Sequence, residues 1–324
     1  MSGTTDQPRT WLSRFSDGDG GPVDSIFRVV TTVAALLIAT AVFVILGTLF
    51  IQALPAIERF GVSFLFSSAW NPAKEQFGAL PFISGTLLTS AMALLLAIPV
   101  SIGIAVLLTQ YVTGRLKELL IFVVELLAAV PSVIYGLWGL FVLAPILQTT
   151  VNPAIAASPL GLLPIFGEAS LSYNLFTASL VLAIMVIPII TSFSRESIAR
   201  VPTDQRDAGI ALGLTRWEVI RGIVIPYARA GIVSAVILGL GRAIGETMAV
   251  TMLVGNTPQA VVDFFQPGST MSALLANEFN QSASAIHTAS LFEIGFILFF
   301  LSFVVNSIAR VVISRISHEG SGGA

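Results

Sequence analysis

Apolar positions along this chain neither alternate nor keep to one helical face. They run on, six times over, for about twenty residues or more. The runs are roughly Ile26–Leu54, Ile83–Gln110, Leu119–Leu147, Leu175–Phe193, Ile232–Val254 and Leu291–Val312, with few or no charges inside them. A hydrocarbon core about 30 Å thick needs about 20 mostly apolar helical residues, so each run predicts a membrane-crossing helix. Barrel strands would alternate every second residue, and these runs do not. The first run is too long for a signal-peptide core and no A-x-A-like site follows it, so it reads as a retained anchor. Pro99, Pro131, Pro145 and Pro188 interrupt the runs. Such breaks survive in lipid where neighbours satisfy the freed carbonyls. Kinked or re-entrant segments are expected around Ala129–Pro131 and Ala144–Pro145.

The polar stretches complete the plan. Residues 1–24 are rich in Ser, Gly and Asp and predict a mobile tail. Residues 25–317 form the transmembrane domain, and 318–324 a second tail. The segment Asn152–Tyr173 carries Pro153, Pro159, Gly161 and Pro164, which favour irregular structure over a folded external domain. No repeat of fixed period is present. An inverted-repeat carrier would show corresponding broken helices in both halves, and the basic segment after the fourth run has no counterpart in the first half.

Composition agrees with the pattern. Of 324 residues 55% are hydrophobic and only 10% charged, whereas about a quarter of a soluble chain is charged. The absence of cysteine excludes disulfide frameworks, thiolate zinc sites, iron–sulfur ligation and cysteine nucleophiles. A net charge of −2 argues against nucleic-acid binding through a basic face. His287 and His318 are too far apart in sequence to suggest a metal pair. With the N-terminus inside, the inner segments collect Arg9, Arg14, Arg28, Arg115, Lys117, six arginines between Arg195 and Arg229, Arg310 and Arg315. The outer ones hold only Arg59 and Lys74, and Arg242 lies within a run. The positive-inside rule therefore predicts an all-α, six-span protein with both termini cytoplasmic.

The third inner loop is the first candidate for chemistry. Pro202 stops one helix, and Asp204 is a candidate cap for the next. Ala208, Ala211 and Leu212 share a face, Gly213 offers a turn or C-cap, and Trp217, Ile220 and Ile223 predict a second short helix ending at Pro226. Physics alone also allows an ordinary interfacial loop with solvated arginines. The second candidate lies in the fifth run. Arg242 and Glu246 stand four apart, hence on one helical face. A charge at a bilayer centre costs at least about 2.5–3.5 kcal/mol, so such groups face the protein interior or an aqueous path. The two form either an ion pair that pins the helix or an anion-handling group, Glu246 orienting Arg242. Gly239, Gly241 and Gly245 do not make G-x-G-x-x-G, because the third glycine comes one residue late and no strand precedes it. Gly241 and Gly245 do match G-x-x-x-G, which predicts close helix packing. Glu125 and Glu293, also within runs, read as satisfied polar contacts or near-interface groups.

Asp207-Ala208-Gly209, then Gly213, then Ile223-x-Ile225-Pro226 resembles the cytoplasmic EAA motif of prokaryotic ABC-importer permeases. The family pattern is Glu-Ala-Ala, three residues, Gly, nine residues, Ile-x-Leu-Pro; Asp207, Gly209 and Ile225 are mild departures from it. Gly241-Arg242-Ala243-Ile244-Gly245-Glu246-Thr247-Met248-Ala249 is similar to the fifth helix of phosphate-specific permeases of the PstC/PstA type. Phe77–Leu87 and Ala129–Gly136 resemble the same family. The resemblance covers about residues 75–315, with the coupling segment at 203–226, and the long first span and motif order favour a PstC-like member.

That resemblance implies the type I ABC-importer permease fold, in the prokaryotic plasma (inner) membrane, translocating inorganic phosphate. Asp207, Ala208, Gly209, Gly213, Ile225 and Pro226 would couple to an ATPase, and Arg242 and Glu246 would line the substrate pathway. The expected partners are a PstA-like sister permease, two PstB-like ATPases carrying ATP and Mg, and a PstS-like phosphate-binding protein. This chain itself holds no Walker A sequence, since Lys74 and Lys117 follow Ala and Leu rather than Gly. It is therefore expected to be no enzyme and to need no cofactor of its own. The rival readings are a permease for another oxyanion, such as sulfate or molybdate, and a stand-alone ion-coupled carrier or channel.

The cysteine-free chain makes the topology directly testable. A single cysteine at Ser2 or Ser321 should resist impermeant thiol reagents in intact cells and react after lysis. Rapid labelling at either position without lysis would overturn the six-span orientation.

Overall fold

A computed structural model describes residues 22–167 and 171–321, and these are helical apart from connecting segments and two isolated β-bridges. The 1–24 tail therefore falls mostly outside the described residues, as do residues 322–324 of the expected C-terminal tail. Ten helices carry the architecture: α1 (Pro22–Phe60), α2 (Leu80–Val106), α3 (Gly114–Ala129), α4 (Ser132–Ala156), α5 (Leu175–Ala199), α6 (Thr203–Ala211), α7 (Arg216–Gly245), α8 (Met248–Leu253), α9 (Met271–Glu278) and α10 (Ala285–Ser321). Six segments are long and apolar enough to cross a membrane, in α1, α2, α4, α5, α7 and α10. Six crossings were expected, and six are found.

The chain divides into two compact units, residues 1–48 and 49–324. In the first unit none of the described residues 24–48 is buried. In the second, α5 is the core, with 72% of its apolar stretch buried against at most 39% in any other span. Lipid tails are as apolar as leucine, so close packing and interhelical hydrogen bonds must hold helices together instead. Both are visible at α5. Ser101 of α2 donates through its hydroxyl to the Ile187 carbonyl at 3.3 Å, and Thr191 donates to the Ser101 carbonyl at 3.4 Å, on either side of Pro188. Gly239 of α7 lets Ile190 of α5 come so close that a Cβ there would lie 2.7 Å from it.

Two crossings differ from the hydropathy reading. The third was expected as one helix over Leu119–Leu147, but the chain breaks at Val130–Pro131, with Val130 extended at ψ 127°. Proline disfavours the helical conformation in the residue before it and lacks the N–H that would continue the ladder. At 16 residues α3 is about 24 Å long, too short to cross alone, whereas α4 has 25 residues and suffices. Pro145 causes no break, because wide helical turns at Gly139–Leu143 and Leu147–Val151 flank it. The fifth crossing, expected over Ile232–Val254, starts at Arg216 and ends at Gly245, with α8 following after a break.

The opposite ends of α9 and α10 meet a polar knot. Glu278 accepts from Trp70 Nε1 at 2.9 Å and pairs with His287 Nε2 at 3.0 Å, while the His287 ring stacks on Phe77 at 5.2 Å. His287 Nδ1 accepts from the Ala283 N–H at 3.3 Å, which assigns the ring proton to Nε2. Buried Phe64, Phe82, Met271 and Leu291 surround this region.

Helix α2 touches the segment before α9 at Gly85, where an added Cβ would lie 1.9 Å from the Ser269 backbone oxygen. Gly85→Ala should therefore destabilise the protein by about 1–3 kcal/mol, as overpacking does. Gly103→Ala, on the same helix with nothing within 4 Å, should be neutral or slightly stabilising. Thermal unfolding of the two variants in detergent checks the contrast; equal midpoints would refute the close approach.

Candidate functional site

The first candidate is the break in the fifth crossing. Helix α7 ends at Gly245 and Glu246 turns extended (φ −70°, ψ 128°), so Arg242 and Glu246 do not share one helix as their spacing suggested. They still meet. Arg242 Nη2 lies 3.4 Å from Glu246 Oε2, with the arginine side chain 48% exposed and the carboxylate 4%. The other carboxylate oxygen accepts from the Ala249 N–H at 3.4 Å, serving the open N-terminus of α8. The Glu246 carbonyl accepts from the Ser272 hydroxyl at 2.8 Å. One residue earlier on α9, the Met271 N–H donates to Thr86 Oγ1 at 3.0 Å. Thus α2, α7, α8 and α9 converge here, and hydroxyls at Thr86, Thr89, Ser90, Ser269, Thr270 and Ser272 are all buried.

Chemically, the arrangement presents a guanidinium half uncovered by the rest of the chain, beside a carboxylate that is itself held in place. A surface ion pair attracts by about 4 kcal/mol at 4 Å before screening, and the exposure of Arg242 reduces that further. The pair alone does not account for a carboxylate this deep; the Ala249 N–H is its second partner. The glycines expected to pack closely do not do so within this chain. Nothing lies within 4 Å of a Cβ at Gly245, and Gly241 meets only Asn306 Oδ1 at 3.8 Å. The close approach belongs to Gly239 instead, because that glycine faces α5.

The second candidate is the segment 203–226. Helix α6 opens at Thr203 after Pro202, so Asp204 sits in its first turn and does not cap it. Arg206 turns back to the end of α5, donating from Nη2 to the carbonyls of Ile198 (2.9 Å) and Val201 (3.1 Å). Gly213 adopts φ +83°, the left-handed turn the sequence suggested. Thr215 then starts α7 with a capping box: Glu218 N–H donates to Thr215 Oγ1, and the Glu218 carboxylate accepts from the Thr215 N–H at 2.8 Å. The expected stop at Pro226 is absent. A wide turn over Ile220–Val224 precedes the proline, and the helix runs through Ile225 and Pro226 into the span. Gly209 is buried against Ile223 and Val219, where a Cβ would lie 2.7 Å and 3.1 Å away, while Asp207 and Ala208 are exposed. The segment is thus a short helix folded back on the root of a long one.

Of the remaining acidic residues, Glu125 of α3 lies 3.6 Å from Arg195 of α5 and is well exposed. Glu293 of α10 is buried, and its Oε2 has no hydrogen-bond partner, so of the two expectations for it the satisfied polar contact is not met. Among the described residues no group of three or more His, Asp or Glu is placed to hold a metal.

Comparison with known proteins gives a consistent answer. Residues 97–318 match the family described as binding-protein-dependent transport system inner membrane component. The phosphate transport system permease protein PstC of Mesorhizobium japonicum is 44% identical over 297 residues, covering 90% of each chain. That of Haemophilus influenzae is 41% identical, covering 90% of this chain and 94% of its own. Among solved structures, a chain of a bacterial alginate ABC transporter in complex with an alginate-bound periplasmic protein superposes with a TM-score of 0.58. It is 17% identical and covers 90% of this chain and 97% of its own.

Proposed function

This chain belongs to the binding-protein-dependent transport system inner membrane component family, and from that premise we propose that it is the membrane-spanning permease subunit of an ATP-driven importer of inorganic phosphate. It has the six-span type I ABC-importer permease fold and is a multi-pass inner-membrane protein. The identity to phosphate permeases over nine-tenths of the chain supports the substrate. The single structural observation carrying the reading is the half-exposed Arg242 guanidinium held by a buried carboxylate at a helix break.

In this reading the chain pairs with a PstA-like sister permease, two PstB-like ATPases and a PstS-like phosphate-binding protein. ATP is bound with Mg and hydrolysed in the ATPases. Helix α6, with Asp207, Ala208 and Gly209, seats on an ATPase, and Gly213, Ile225 and Pro226 set how it joins α7. ATP-driven closure of the ATPases moves α6 and rocks the spans between inward- and outward-open states, each partner biasing the state it binds better. Phosphate carries one to two negative charges near neutrality, so a low-dielectric passage needs a compensating cation. Arg242 supplies it, and the planar guanidinium suits an oxyanion better than an ammonium does. Glu246 sets its orientation.

Gly213→Val should insert and assemble but lose several-fold in uptake and in substrate-stimulated ATP hydrolysis, because a β-branched residue is strained at positive φ by about 1–3 kcal/mol. Gly213→Asn, which tolerates that conformation, should retain more of both. Wild-type coupling in Gly213→Val would remove the segment from the coupling role.

Arg242→Gln should abolish phosphate uptake per assembled complex in proteoliposomes, and Arg242→Lys and Glu246→Gln should impair it. If Arg242→Gln instead lowers only yield or thermal stability and transports normally per complex, the pair is a packing device and nothing more.

A further inference from the structure

The turn at Glu246 is fixed from outside the crossing that contains it. In an unbroken helix its carbonyl would accept from an N–H four residues on. It accepts instead from the Ser272 hydroxyl at 2.8 Å, from the first turn of α9 and 26 residues away. Both residues are buried, and a buried carbonyl deprived of its donor is costly to leave alone. The other polar contacts of Glu246 are longer. Its N–H reaches the Ala243 carbonyl at 3.4 Å, and its carboxylate meets the Ala249 N–H and Arg242 Nη2 at 3.4 Å each. A side chain that orients another group must itself be held by packing and hydrogen bonds, and Ser272 is. Thr270 caps α9, its hydroxyl oxygen accepting from the Ala273 N–H at 3.2 Å, and the Met271 N–H is bound to Thr86 of α2. Thr86 is anchored in turn, donating to the Phe82 carbonyl at 2.7 Å. At the far end of α9, Glu278 accepts from Trp70 and His287. Helix α9 has eight residues and is pinned at both ends.

We propose that Ser272 is a positioning residue for the anion passage: its hydroxyl fixes the extended turn at Glu246 and so sets where the Arg242 guanidinium stands. The contacts run from Ser272 Oγ to the Glu246 carbonyl, and from the carboxylate of that same residue to Arg242 Nη2. Arg242 meets the anion, and Ser272 acts only through it. The consequence for transport rests on the reading above; the placement of the guanidinium does not. Removing the hydroxyl frees ψ of Glu246, lets its carboxylate leave the Ala249 N–H, and deprives the guanidinium of a fixed neighbour. A planar fork serves an oxyanion in a defined orientation, so transport slows although the charge is still present.

The test uses the whole importer complex with Gly245→Cys in this chain, which has no cysteine of its own. Gly245 is exposed, a Cβ there meets nothing within 4 Å, and it lies about one helical turn from Arg242. Labelling rates with an anionic and a cationic thiosulfonate are measured above those of the complex lacking that cysteine. Their ratio reads the field of the guanidinium at the break. Ser272→Ala should lower the anionic-to-cationic ratio severalfold, toward that of Arg242→Gln, and Ser272→Thr, which keeps the hydroxyl, should restore it. Without the added cysteine, Ser272→Ala should lower phosphate uptake per assembled complex in proteoliposomes severalfold, and Ser272→Thr should stay near wild type. An unchanged ratio and unchanged uptake per complex, with only a lower thermal midpoint, would make Ser272 a packing residue and overturn the proposal. Equal losses from Ser272→Ala and Ser272→Thr would do the same. Failure of the wild-type complex to take up phosphate would sink the transport reading instead, and the labelling ratio would still decide whether Ser272 places the guanidinium.

Discussion

Backbone groups inside a bilayer cannot turn to water, so a helix may break there only where the protein itself receives the freed N–H and C=O groups. The break after Gly245 obeys this constraint. The Glu246 N–H reaches back to the Ala243 carbonyl at 3.4 Å, its carbonyl takes the Ser272 hydroxyl, and its carboxylate takes the Ala249 N–H. Beyond α8 the irregular chain is tied in the same way: the Gly268 N–H donates to Val254 at 2.9 Å, and the Leu175 and Phe176 N–H groups donate to Gln266 and Phe264. Once these groups are satisfied, a buried carboxylate and a half-covered guanidinium can stand side by side. The same residue therefore closes one helix, opens the next and holds the arginine, so the helix break and the ion pair cannot be separated at Glu246.

Much of this architecture was legible because hydropathy measures what a bilayer selects. Six crossings could be read from length alone, and Pro131 announced the break before α4. The fifth crossing misled for a physical reason. Residues 232–254 are apolar on both sides of Glu246, and hydropathy carries no information about ψ. The available signal was chemical: a glutamate followed by Thr247, with Ser272 and Thr86 supplying hydroxyls from elsewhere in the chain. Pro226 misled in the opposite sense. Proline was read as a stop, yet the wide turn before it leaves no demand for the missing N–H, and the helix continues.

The candidate residues were partly legible too. A spacing of four brought Arg242 to Glu246 even though the helix they were assigned to ends between them. Gly213 was read as a turn and has the positive φ that a turn of that kind requires. A cleft beside Gln110 was not legible, because its wall comes from elements distant in sequence. For Glu293 the sequence left a satisfied contact and a near-interface group both open; its orphaned oxygen is a property of packing.

The capping box at Thr215 begins a helix that does not stop until Gly245, thirty residues on. That is a lever about 45 Å long, and a tilt of about 10° at one end sweeps the other through about 8 Å. The α6 turn sits at one end of this lever and Arg242 at the other, with no joint between them other than the wide turn at Ile220–Val224, close to the root. Torque applied near Trp217 thus reaches the guanidinium as a rotation of one stiff body, with little to absorb it along the way. The folded-back α6 segment and the guanidinium of Arg242 share a single shaft.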